Sequence, residues 1–247
     1  MSIVRCNMLK FTSIKLTRHY SKFECKEGRQ VNSAKKPPIL YGDEVSPPVR
    51  FVMMTAAHLN IQLDFHPIDL FKSEHKMDAF NQINPLQKVP VLKVDKDVIC
   101  DSHAIAMYLC ETTKSEDLYP GSALARAKIN QMLFYNATTL FPIDSFILSE
   151  YFCGKMPSGV KVDEWFNSLH YLNTALSVSP WLAGDQMRIC DFCCASTISS
   201  METVVNGIKK FVYLKRWMDE LEKLPCFEIN RRGLERLKYF MSLYKPN

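Results

Sequence analysis

Four places in this 247-residue chain combine side chains that could hold or activate a small charged molecule. Ser46 stands directly before Pro47 and an apolar helical pattern, so its hydroxyl would sit at a helix N-terminus. The helix dipole is positive there, and the hydroxyl can donate a hydrogen bond to a sulfur anion. A free thiol titrates near about 8.5, and one charge-assisted hydrogen bond of roughly 1.5 to 3 kcal/mol lowers that by about one to two pH units. Ser46 would then stabilise a nucleophile without being one. Taken by itself, a Ser before Pro is an N-cap and nothing more.

Val89-Pro90 precedes a strand-like run. A cis proline there would present the Val89 backbone to a peptide-like ligand, whereas a trans proline would only open the strand, and the sequence leaves both open. Asp101-Ser102 offers a carboxylate and exposed amides at a second helix start, suited to an ammonium and a carboxylate, with plain capping as the alternative. Asp144 lies between the apolar runs Leu140-Phe141-Pro142-Ile143 and Phe146-Ile147-Leu148. A buried carboxylate is costly without partners, so a partner is expected for it. The alternative is that Pro142 breaks a helix and Asp144 caps the next turn.

The elements that must position these residues can be read from periodicity. Ile39-Leu40-Tyr41 reads as a strand, Pro47 to Leu59 as a helix, and Ile61 to Ile68 alternates with the strand period. Lys76 to Ile83 is expected as a short helix ended by Asn84-Pro85. Val89 to Val94 and Val98 to Cys100 flank a turn at Asp95-Lys96-Asp97, a hairpin pattern, and a helix follows over His103 to Glu111. That order is thioredoxin-like. Residues 113–122 have linker composition, after which strand signals stop. Ile129, Met132, Leu133, Asn136 and Leu140 form a helical stripe, and Leu214, Trp217, Met218, Leu221 and Leu224 form another, ended by Pro225. The expectation is an α/β thioredoxin-like domain over 38–112 and an all-α helical bundle over 123–247.

Composition narrows the class. With 47% hydrophobic and 23% charged residues the chain has globular proportions, and no run reaches the roughly 18 to 20 apolar residues of a membrane span. The net charge of +5 is concentrated in residues 1–37, which hold nine Lys/Arg against Glu24 and Glu27. The remainder is slightly acidic, which argues against a nucleic-acid partner. The basic stretch is expected to be an unstructured extension or an early start, with mitochondrial targeting as the alternative to a cytoplasmic protein. Nine scattered cysteines point to a reducing compartment. Cys190 and Cys193 have C-x-x-C spacing without a second pair, so no metal is expected and small buried core residues are.

Taken together, Ile39-Leu40-Tyr41, Ser46-Pro47-Pro48-Val49-Arg50, Asn84-Pro85 through Val89-Pro90-Val91-Leu92, and Asp101-Ser102-His103-Ala104-Ile105 resemble the insect delta/epsilon glutathione transferases. Tyr213 to Trp217 and Leu224-Pro225 are similar to that family's late helix. The resemblance implies glutathione as co-substrate and a homodimer. It places Ser46 at the glutathione sulfur, Val89 and Pro90 at the cysteinyl backbone, and Asp101, Ser102 and His103 at the γ-glutamyl end. His75 and Gln87 would reach the glycyl end, although Gln87 stands where the family usually has His. Arg188 departs from the family's Thr or Ser cap, a loss of about 0.5 to 2 kcal/mol unless Asp191 compensates.

Within the family, Asp101, His103, Asp144-Ser145 and Gly233 to Leu237 resemble a member required for ecdysteroid production. That likeness implies a hydrophobic, steroid-like acceptor whose hydroxyl bonds Asp144, with some of Phe51, Tyr135 and Phe146 facing it. Two other functions stay open: a general detoxifying transferase with a permissive pocket, and a transferase-like binding module without turnover.

Overall fold

Four short strands, β1 (Ile39–Gly42), β2 (Asp64–Pro67), β3 (Val91–Val94) and β4 (Asp97–Cys100), make one mixed sheet in the order β2-β1-β3-β4. The computed structural model describes residues 36–244, so the basic extension lies outside the described residues except for its last two positions. β1 pairs parallel with β2 through the crossover helix α1 (Pro47–His58), and antiparallel with β3, which forms a hairpin with β4. The alternating run from Ile61 pairs only over Asp64–Pro67, with Asp64 and His66 exposed and Phe65 and Pro67 half-buried. The helix expected over 76–83 is instead a 3-10 turn at Glu74–Lys76 and a single turn, α2 (Asp78–Asn81), because Met77 is extended between them.

α1 begins with Pro47-Pro48, whose fixed φ suits the first helical turn. It buries two faces. Val52 and Ala56 pack with Leu40, Leu92, Ile105 and Leu109 over the sheet. Phe51 and Met54 join the core of the helical half. α1 is therefore the layer shared by both halves.

Beyond Cys100 no further strand occurs among the described residues. α3 (Ser102–Thr113) is followed by α4 (Ala123–Tyr135), a π-helical turn (Asn136–Leu140), α5 (Phe141–Phe152), α6 (Gly159–Val178), α7 (Ile189–Met201), α8 (Val212–Glu222) and α9 (Glu228–Leu243). The stripe from Ile129 to Leu140 thus begins in α4 and ends in the π turn, where Asn136 is buried with its Oδ1 unpaired among the described residues.

α7 is the central helix, buried on nearly every side. Cys190, Cys193 and Cys194 lie in this core, and burial pushes all three thiols well above their ordinary range. Among the described residues no group of His, Cys, Asp or Glu is arranged to hold a metal ion. The start of α7 is secured without a capping hydroxyl. Asp191 accepts the amides of Arg188 at 2.7 Å and Leu182 at 3.0 Å, and the indole N–H of Trp217 at 2.8 Å. Arg188 turns its guanidinium to the carbonyls of Glu116 and Asp117. Asp191 thereby supplies the compensation that the missing cap demanded.

Candidate active site

The sheet register gathers the expected ligand-binding residues at one end. Tyr41 pairs with His66 on one side and with Val91 on the other, and Val91 pairs with Cys100. The end of β1, the start of β3 and the end of β4 therefore lie side by side. Ser46 follows the first, Val89-Pro90 precedes the second, and Asp101-Ser102 follows the third. The segment from Ile68 to His75 leaves β2 at this same end, where the Ile68 amide donates to Gly42 O at 2.8 Å.

Ser46 occupies the N-cap position of α1 with φ −76° and ψ 121°, yet its side chain makes no cap hydrogen bond. The hydroxyl is left available at a positive helix end. The backbone around it is tightly held. Ser46 N donates to Asp43 O at 3.0 Å, and the buried Asp43 carboxylate accepts Val45 N at 3.3 Å and Leu70 N at 3.2 Å.

The Val89–Pro90 bond is cis, with Val89 half-buried and Pro90 buried. Asp101 caps α3 with φ 79°, accepting the amides of His103 and Ala104, and Ser102 is buried behind it. The His103 hydrogen bond is the largest of the effects that hold the Asp101 carboxyl below its ordinary range. An anionic Asp101 at this edge suits a ligand ammonium. His75 is half-buried with Nδ1 unpaired, and burial, then Lys76, lowers its pKa. The Gln87 side chain, on a backbone at φ 54°, donates from Nε2 to Asn81 Oδ1 at 3.4 Å.

Ser46 and Asp144 line one open cavity of about 270 Å³. Its other walls are largely apolar, with Leu70, Phe71, Phe141, Leu148 and Phe152 among them. Asp144 is 1% exposed, its Oδ1 has no partner, and no cation forms an ion pair with it among the described residues. Among the described residues the partner expected for this carboxylate is therefore not a contacting side chain. Desolvation raises its pKa to about 8, opposed only by the more distant charge of Arg50. Near neutral pH Asp144 is chiefly a neutral acid, able to donate or accept a hydrogen bond.

Three residues expected on the substrate wall do not line this cavity. Phe51 is 1% exposed in the core, 6.0 Å from the His103 ring. Tyr135 packs on Tyr171 and donates to Ser168 O, because its position on α4 points it at α6. Phe146 faces outward beneath Lys161. The aromatic wall is built instead from Phe71, Phe141 and Phe152, and Phe71 stacks on Phe240 of α9 with 3.6 Å between ring centroids.

Arg50 is the residue whose importance the sequence concealed. Wholly buried, it donates through Nε to Asn230 Oδ1 at 2.8 Å, through Nη1 to Glu44 O at 3.0 Å and Val45 O at 2.7 Å, and through Nη2 to Ser196 O and Ser200 Oγ. All five N–H donors are satisfied. The guanidinium joins the loop before Ser46 to α7 and α9.

A free hydroxyl at a helix start, an anionic carboxylate at a second helix start, an extended backbone between them and an adjacent apolar cavity can bind a small peptide and set its reactive group beside a hydrophobic molecule. The comparisons with known proteins agree on one family. Residues 40–116 match the model described as glutathione S-transferase, N-terminal domain. The chain is 30% identical to Glutathione S-transferase 1 of Manduca sexta over 76% of this chain and 89% of that protein. It superposes on an epsilon-class glutathione S-transferase from the housefly Musca domestica with TM-score 0.79 and 30% identity, covering 84% of this chain and 98% of that one. A glutathione transferase homolog of Drosophila mojavensis, solved with bound glutathione, gives TM-score 0.79 and 29% identity over 85% and 98% of the two chains.

Proposed function

The chain belongs to the glutathione S-transferase family, and on that premise we propose that it activates the glutathione thiol for a flat, hydrophobic, steroid-like acceptor. Ser46 donates to the thiolate. Val89 and Pro90 hold the cysteinyl backbone, Asp101, Ser102 and His103 the γ-glutamyl end, and His75 and Gln87 the glycyl carboxylate. Asp144 meets a polar group of the acceptor.

The observation that carries this reading is the shared cavity. A hydroxyl free to bind sulfur and a buried acid whose Oδ1 has no partner among the described residues face one apolar space. An unpaired buried polar atom in such a wall favours a ligand that offers one hydrogen-bonding group on a rigid apolar frame. The resemblance to Noppera-bo, the insect transferase required for ecdysteroid production, supports ecdysteroid biosynthesis as the setting. Family resemblance alone supports a cytoplasmic homodimer; a molecular mass from sedimentation in solution tests the dimer.

The deciding experiment measures binding of an estradiol-like steroid and of glutathione to wild type and Asp144→Ala. Steroid affinity falls by roughly 1.5 to 3 kcal/mol while glutathione affinity holds. Equal steroid affinity in both proteins removes the anchor and leaves a general detoxifying transferase. Unchanged thiol-transfer rate in Ser46→Ala would instead favour a binding module.

A further inference from the structure

Asp101 sits at φ 79°, a conformation that side-chain-bearing residues rarely adopt, and its carboxylate is unevenly used. Oδ1 accepts His103 N at 2.8 Å and Ala104 N at 3.2 Å and lies 3.1 Å from His103 Nδ1. Oδ2 takes none of these bonds. On its far side the His103 ring meets α7, where Nε2 is 3.4 Å from Sγ of Cys193.

A neutral imidazole that donates from Nδ1 must carry a lone pair on Nε2, and the group facing that lone pair has to be a donor. Cys193 fits this requirement. It is 2% exposed, and burial keeps it a thiol. The series Cys193, His103, Asp101 superficially resembles a nucleophilic triad, but Cys193 lines none of the cavity beside Ser46 and cannot reach an acceptor there.

We propose that Cys193 is a positioning residue for glutathione: its S–H fixes the Nδ1–H tautomer of His103, which pins Asp101 Oδ1 and reserves Oδ2 for the γ-glutamyl ammonium. The proposal rests on Asp101 receiving that ammonium. The thiol's competing partner is the carbonyl one helical turn back, at Ile189, and a thiol engaged there would leave the imidazole tautomer unset.

Long-range proton–nitrogen NMR of the His103 ring in the ligand-free protein tests the contact without reference to glutathione. Wild type shows protonated Nδ1 and acceptor Nε2, and Cys193→Ala shows a mixed tautomer. Calorimetry then compares glutathione with an analogue lacking the γ-glutamyl amine. Cys193→Ala weakens glutathione about threefold to tenfold and leaves the analogue unchanged, and Cys193→Ser, which keeps a donor, restores the wild-type value. A protonated Nε2 in wild type, or identical glutathione affinity in wild type and Cys193→Ala, overturns the proposal. If wild type binds both peptides equally, the assignment of Asp101 to the ammonium fails, and Cys193's part in positioning glutathione fails with it, whatever tautomer NMR records.

Discussion

Arg236 of α9 donates from Nε to Asp43 Oδ1 at 3.0 Å, and so the last helix of the chain holds the loop that delivers Ser46. Asp43 is 4% exposed, and Arg236 is the only side chain that forms an ion pair with it among the described residues. One residue further along, Glu44 receives both Nε and Nη2 of Arg232. The position of the proposed thiolate donor is therefore decided some two hundred residues away in sequence.

Arg236→Met keeps the aliphatic stem and removes the charge. Asp43 is then left with backbone donors alone, at a cost of about 1 kcal/mol in stability. The larger effect falls on the thiol. In a titration of thiolate absorbance with bound glutathione, the apparent pKa rises while the affinity for glutathione changes little. An unaltered titration curve would show that the loop keeps its shape without α9.

Gly233 is where α9 comes closest to that loop. A Cβ placed there would lie 2.3 Å from Glu44 O and 2.4 Å from Arg50 Cδ, and neither the carbonyl nor the bonded guanidinium stem can move aside. Gly233→Ala is expected to destabilise by about 1 to 3 kcal/mol, seen as a melting temperature several degrees lower. Wild-type melting behaviour in this variant would mean that α9 can shift without loss.

Ser46→Ala removes the one side-chain donor proposed for the sulfur and leaves the helix dipole in place. The pKa of bound glutathione should rise by about one to two pH units, and thiol transfer at neutral pH should fall by about tenfold to a hundredfold. Because the Ser46 hydroxyl caps nothing, the variant should melt as wild type does. A large drop in stability would reveal a structural role for it.

Asp144 makes stability depend on pH. Its pKa is raised from 3.8 in the unfolded chain to about 8 in the folded one, so the folded state holds a proton that the unfolded state has lost between those values. Stability is accordingly greatest below 3.8 as far as this group is concerned, and falls as pH rises toward about 8. Asp144→Asn, neutral at every pH, should abolish that fall. Denaturant midpoints at pH 5, 7 and 9 measure it, and parallel wild-type and Asp144→Asn curves would contradict it.

Much of the glutathione half was legible because its signals are local. Ser46-Pro47, the Val89-Pro90 strand entry and Asp101-Ser102 each depend on neighbours within a few residues, and α1 and α3 form within two residues of the spans their periodicity predicts. What escaped notice depends on distant partners. Nothing in Val49-Arg50-Phe51 announces that the Arg is fully buried, since its acceptors come from Val45, Ser196, Ser200 and Asn230. Phe51 and Tyr135 have the chemistry of a ligand wall, but helix orientation turns them to the core and to α6. Asp144 stands out by its apolar flanks, while the lack of a partner for its Oδ1 among the described residues can only be seen in three dimensions.

The burial of Arg50 has a consequence for how the molecule comes apart. Pulling α7 and α9 away from α1 would strip the guanidinium of three of its acceptors and leave a cation facing hydrocarbon, a penalty of several kcal/mol. Partial opening between the sheet layer and the helices is thereby disfavoured, and heat should melt both in a single calorimetric transition. A ligand held by either half then steadies the other, with no moving part required to carry the message.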